Sequence, residues 1–275
     1  MRPTMWRRFT EAWSVAWQIT ALNFRAQLEY RAEFLIQIAF GIVWQLSIIV
    51  FAAVLLAKFS GMGGWTSSQI LLLVATRMLC NGLYVLYCGS VFSLAFLVQQ
   101  GFVDGFLLRP MPVFRQVQLV AFQTNGIGDL LVGVGLFAGA IARSPLDWTA
   151  GRIAYLAAGV IGGTLLITAV FTAVSAAALH FPASWYWSLW IGEVSATFGS
   201  YPLSILPRAV GELLTWLLPI AFIAYLPVGV LTGHGAGLGV PVAVAACAPL
   251  AALAMYVGSR LLWNWSLRHY TGVNG

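Results

Sequence analysis

From Phe34 onward the chain is a series of apolar runs, each near the length of about 20 residues that a helix needs to cross bilayer hydrocarbon. They fall at 34–57, 69–98, 119–141, 151–179 and 241–262, with one further crossing inside 184–231. Ahead of them the pattern changes. In residues 5–30 Trp6, Phe9, Trp13, Ala16, Trp17, Thr20, Phe24 and Leu28 recur at helical spacing, while Arg7, Arg8, Glu11, Gln18 and Arg25 fall mostly elsewhere on the wheel. A helix with a Trp/Phe stripe and basic residues opposite lies in the headgroup zone of a membrane. The pattern predicts an all-α integral membrane protein: a single transmembrane domain over 1–275, with six transmembrane helices and an N-terminal interfacial amphipathic helix.

The stretch 184–231 holds Pro202, Pro207, Pro219 and Pro227. Either 184–200 is interfacial and 209–231 spans, or 184–203 spans and 204–231 enters and leaves the outer leaflet as a broken re-entrant segment. The prolines favour the second, because interrupted backbone at membrane depth survives only where protein buries it. Trp185, Tyr186, Trp187 and Trp190 mark an interface level at the start of this stretch.

Composition sharpens the picture. Lys plus Arg number 14 and Asp plus Glu 8, so 8% of residues are charged, against about 25% in a soluble domain. With 60% hydrophobic residues, 12 Trp and 17 Phe, an ordinary soluble enzyme and a disordered chain are both excluded. The net charge of +6 comes without a basic cluster carrying stacking aromatics, so no nucleic acid is expected. It reads instead as membrane orientation. Arg2, Arg7, Arg8, Arg25, Arg31, Arg109, Arg115, Arg260 and Arg268 gather on one side, against Lys58, Arg143 and Arg152 on the other, with Arg77 and Arg208 assigned to neither. Both termini are therefore expected in the cytoplasm, and 99–118 becomes the main cytoplasmic loop. Cys80, Cys88 and Cys247 sit in apolar runs without ligand spacing and the histidines are scattered, so no metal site is expected.

Candidate chemistry is sparse. The single lysine is Lys58, in Ala57-Lys58-Phe59, and a Walker-type phosphate loop needs a glycine-rich turn followed by Lys and Ser/Thr. The chain is thus not its own P-loop ATPase, and no GxSxG, HExxH or paired-carboxylate constellation marks it as an enzyme. The informative charges are Arg77, Asp129, Glu193 and Glu212, within the apolar stretches. Each costs about 2.5–3.5 kcal/mol at a helix centre, so each is expected to face protein, a partner or water, on a path or a gate. Arg77 and Asp129 are placed at depths differing by roughly 6 Å, at 1.5 Å of rise per residue, within reach of an ion pair. Gly135/Gly139 and Gly159/Gly163 form small-residue faces expected to pack helices within the chain, with a dimer seam as the alternative.

The loop Gly101-Phe102-Val103-Asp104-Gly105-Phe106-Leu107-Leu108-Arg109-Pro110-Met111-Pro112 is amphipathic and ends in a Pro-x-Pro break. With it, Glu29-Tyr30-Arg31-Ala32-Glu33-Phe34, Tyr201 to Pro207, Leu218 to Pro227 and Leu267-Arg268-His269-Tyr270 give a chain that resembles permease subunits of ABC-type exporters, the six-helix ABC-2-like transporter family. Glu33 stands where that family more usually has Asp. The resemblance implies a coupling loop, with Gly101, Asp104, Leu107, Leu108, Arg109, Pro110 and Pro112, that docks on an ATPase. It implies two ATPase subunits carrying the ATP and Mg, no cofactor on this chain, a second permease subunit, same or homologous, and a bacterial inner membrane. The alternative is an ion-gradient-driven secondary transporter or channel, with Arg77, Asp129 and Glu193 as ion sites.

Overall fold

The computed structural model describes residues 5–58, 63–181 and 184–272. It is 81% helical, and among the described residues there is no β-strand. Helix α1 (Met5–Glu29) leads through Tyr30 into α2 (Arg31–Lys58), where the Phe34 amide bonds back to the Tyr30 carbonyl at 3.0 Å. Helix α3 (Ser67–Cys88) starts at a capping box in which the Thr66 amide donates to Gln69 Oε1 at 2.8 Å. It continues through one 3₁₀ stretch, Gly89–Ser93, into α4 (Leu94–Gln99). Two short helices, α5 (Phe102–Leu107) and α6 (Val113–Leu119), precede the long α7 (Asn125–Arg143) and α8 (Ala150–Ala178). Helix α9 (Trp185–Phe198) opens a broken region holding α10 (Arg208–Glu212), α11 (Tyr225–Leu231) and α12 (Val242–Ala246), and α13 (Ala248–Arg268) closes the fold.

Four helical stretches are long and apolar enough to cross a membrane: Arg31–Val54, Ser67–Gln99, Asn125–Arg143 and Ala150–Ala178. The third starts later than the apolar run beginning at 119 suggests. Carbonyls just before it are taken by side chains from other elements: Asn23 donates to Leu119 O at 2.7 Å and Ser90 to Ala121 O at 2.8 Å. The final helix likewise starts later than the expected 241, because Cys247 and Pro249 begin it afresh, and it runs past 262 to Arg268.

The long helices pack in the order α2, α7, α3, α8, α13. Glycine permits the closest crossing. A Cβ on Gly41 would strike the Asn125 carbonyl of α7, and one on Gly128 would strike the Ile38 carbonyl of α2. Gly159 faces Pro227 and Gly163 faces Cys80 and Ile223, so this pair packs within the chain as expected. Gly135 and Gly139 do not: a Cβ at either meets nothing within 4 Å. The packing glycines of α7 are Gly126 and Gly133, on the opposite face toward α3, and Gly128, on the same face as Gly135 and Gly139 but at the end where α2 crosses.

The region 200–231 is broken where the prolines fall. Pro202 precedes a 3₁₀ turn, Pro207 precedes α10 and Pro219 precedes a second 3₁₀ turn. Before Pro219 the helix widens to a π-turn, and the Leu218 amide reaches five residues back to Leu213 O at 3.0 Å. Pro227 sits in the first turn of α11, where no amide proton is needed. Pro202, Pro219 and Pro227 are buried and Pro207 is exposed.

Candidate functional site

Two sites come from the structure: a polar cavity between long helices and an exposed short helix at one end of the bundle. The cavity, of roughly 310 Å³, is walled by α2, α3, α7 and α9. Arg77 of α3 and Asp129 of α7 both line it and are each only 4% exposed. They form no ion pair with each other; among the described residues the ion pair is Arg208–Glu212. Amides stand between them. Arg77 Nη2 donates to Gln45 Oε1 at 3.2 Å, and Asn81, one helical turn beyond Arg77, donates from Nδ2 to Asp129 Oδ2 at 3.1 Å. Desolvating a charge costs several kcal/mol, and this shell of amides recovers part of it. Arg77 Nε stays without a partner, while the Gln45 side chain also reaches Asp129.

Glu193 of α9 is exposed and lines the same cavity. Three of the four charges singled out in the sequence thus converge on one space. Glu212 does not join them. It sits on α10 with its carboxylate 2.8 Å from Arg208, the two side chains 55% and 92% exposed, at a separate cavity lined also by Tyr225.

The second site is α5. Gly101 precedes it at φ +72°, a left-handed conformation that glycine adopts without penalty. Val103 and Phe106 turn inward and are buried, whereas Phe102, Asp104, Leu107, Leu108, Arg109, Pro110 and Pro112 are exposed. Leu108 is 88% exposed, and the Arg109 guanidinium lies 5.7 Å from the Phe106 ring centre. Gln116, buried in α6, clamps the turn: its Nε2 donates to Phe106 O at 2.8 Å and to Met111 O at 2.7 Å. Beneath, Phe114 meets Trp263 edge to face at 5.3 Å and carries the Arg260 guanidinium 3.4 Å above its ring. The Tyr270 hydroxyl is pushed up to about 12 by burial and then by the neighbouring Asp104 carboxylate, so it stays protonated across the physiological range.

The N-terminal helix reaches this same end of the bundle. Phe24 packs edge to face on Phe34 at 5.8 Å and on Phe122 at 5.3 Å, while Trp17 is 72% exposed. Arg31 and Glu33 are exposed at the start of α2. The backbone is helical at Trp6 and Trp13, whose side chains lie outside the described residues.

Sequence reasoning passes over Gln45, Asn81 and Gln116, and meets Tyr270 only as part of the C-terminal element Leu267 to Tyr270. A usable signal exists for Gln45, the lone amide in the apolar run Phe40 to Val50, and for Asn81, placed four residues after Arg77.

No curated protein matches the chain, and no solved structure does. The sequence model described as ABC-2 family transporter protein matches residues 42–274. That span takes in α5, the cavity apart from Phe40 and Gly41, and every long helix after the first part of α2, and the chain, a multi-pass membrane protein, belongs to the ABC-2 transporter family.

Proposed function

We propose that this chain is the membrane-spanning permease subunit of an ATP-driven exporter. ABC-2 family membrane proteins work in general with ABC ATPase partners. The observation that carries the reading here is the exposed face of α5, apolar at Phe102, Leu107 and Leu108 and charged at Asp104 and Arg109, held on buried anchors that lead directly to α13. Such a surface is ready-made for a groove on another protein. In this reading two cytosolic ATPase subunits hold the ATP and Mg, and a second permease subunit completes the translocation path. Closure of the ATPases moves α5 and, through it, the helices around the cavity. The motion is useful only if the two access states differ in affinity for ATPase or cargo.

Six crossings then consist of α2, α3 with α4, α7, α8, α9 and α13, and the broken region between α9 and α13 is re-entrant from the outer side. Helix α9 has 14 residues, about 21 Å of length at 1.5 Å per residue, shorter than hydrocarbon of about 30 Å, and the turns after it complete the passage. Helix α1 lies at the interface with Trp17 toward lipid. Both termini are cytoplasmic, in a bacterial inner membrane. Arg109, Arg115, Arg260 and Arg268 support that orientation, since the loop and the end of α13 share one end of the bundle. Gly63 packs against Ser204 at the other end, which adds Arg208 to the outer set of Lys58, Arg143 and Arg152.

Arg109→Glu tests the docking surface. Because Arg109 is exposed, the variant is expected to fold and to insert normally while losing co-purification of the ATPase and ATP-driven transport. Retention of both would sink the assignment. The buried Arg77 and Asp129 favour a second reading, transport driven by an ion gradient; gradient-driven uptake by the chain alone in liposomes would select it over the exporter.

A further inference from the structure

We infer that the cavity between α2, α3, α7 and α9 is a headgroup site for a zwitterionic amphiphile, an anionic oxygen group and an ammonium group carried on an alkyl tail. The inference rests on the transport reading above and names its cargo class. Its first support is an unpartnered donor on a lining residue. Arg77 Nε is buried without a partner, and Arg77 is only 4% exposed. A buried donor left unmade is unfavourable, and an oxygen acceptor entering the cavity would satisfy it at Arg77.

Charge decides what else the ligand carries. The cavity holds one cation, Arg77, and two carboxylates, Asp129 and Glu193. Asp129 accepts from Asn81 and is also reached by the Gln45 side chain, with the Arg77 charge nearby, so its charge is met from within the protein. Glu193 is exposed on the α9 wall and forms no ion pair. A purely anionic headgroup would satisfy Arg77 but face an excess of carboxylate. A purely cationic one would satisfy Glu193 and leave the Arg77 donor unmade. A zwitterion meets both at once.

The tail follows from the rim. Phe40 and Trp44 of α2 line the cavity with their rings stacked at 6.4 Å and an interplanar angle of 21°. They are 59% and 41% exposed, so the mouth meets the outside of the bundle along an apolar helix face. An alkyl chain leaving the headgroup site there stays in contact with aromatic surface and with lipid.

The test uses the full chain purified in dodecyl maltoside without nucleotide or ATPase, titrated with four probes and read by native mass spectrometry. Dodecylphosphocholine is expected to bind about tenfold more tightly than dodecyl phosphate, dodecyltrimethylammonium or tail-less phosphocholine. Glu193→Gln, at an exposed position, should erase the advantage over dodecyl phosphate without weakening dodecyl phosphate itself. Arg77→Gln should erase the advantage over dodecyltrimethylammonium. Equal binding of the three amphiphiles, or a phosphocholine preference that survives Glu193→Gln, overturns the inference, and equal binding of tail-less phosphocholine overturns the amphiphile. Failure of the transport reading would show separately, as loss of ATPase association or of ATP-driven transport in the Arg109→Glu experiment.

Discussion

Gln116 shows how much one side chain can fix. Its amide closes two carbonyls, Phe106 O and Met111 O, on either side of the exposed Leu108-Arg109-Pro110 tip. Gln116→Leu keeps the volume and removes both bonds, at a cost of about 1–3 kcal/mol for buried acceptors left unpaired. The expected result is a lower unfolding temperature, with faster amide exchange in 106–112 than elsewhere; unchanged exchange in that turn would show that the clamp is not what holds it. The same scale explains what the sequence hides. Arg77, Asp129 and Glu193 stand out as charges in apolar runs, and the cavity brings them together. Gln45 is equally apolar in its neighbours yet carries no charge to draw attention, and it is the group that meets Arg77 in place of the expected carboxylate. Gln45→Leu should therefore destabilise the wild type by several times more than it destabilises an Arg77→Leu background, a difference that a double-mutant cycle on thermal unfolding measures.

At the scale of elements, hydropathy shows that long helices exist but not which of their faces touch. Gly135/Gly139 and Gly126/Gly133 have comparable credentials in the sequence, and only the packing of α7 between α2 and α3 separates them. The sharpest case is Gly41 against Gly128, where each helix meets the other's carbonyls. Gly128→Leu is expected to destabilise by about 3 kcal/mol or more, at the upper end of overpacking costs, because rigid backbone cannot give way as a side chain would. Gly139→Leu, with open space around it, should be close to neutral. Thermal unfolding of the two variants side by side checks where along this face of α7 the close crossing with α2 falls. Helix ends were the least legible feature. Helix α7 begins at Asn125 because side chains from α1 and the 3₁₀ turn claim the preceding carbonyls, and such long-range partners leave no local trace. The prolines of 200–231, by contrast, act locally, and each break falls beside one of them.

At the scale of the whole molecule the helices alternate in direction, so loop tips lie at opposite ends. Leu108→Cys and Ser144→Cys, each introduced with Cys247→Ser, place one reporter thiol at either end; Cys80 and Cys88 are buried. A membrane-impermeant maleimide is expected to label position 144 in intact cells and position 108 only in inside-out vesicles. Labelling of both from one side would refute the orientation. The two ends are secured differently. At one, Trp65 is sandwiched between Tyr225 at 5.4 Å and His234 at 4.6 Å, and His234 also hydrogen-bonds the Gly64 carbonyl at 3.1 Å. At the other, Phe114 is gripped between Arg260 and Trp263 of α13. Helix α13 is a single rod of 21 residues, about 31 Å at 1.5 Å per residue, and its far end rests Pro249 on Gly162 of α8. That seat has no room to spare: a methyl on Gly162 would meet the Pro249 Cα at 2.9 Å, so Gly162→Ala is expected to push this tip of α13 off α8 and lower the unfolding temperature without touching either site.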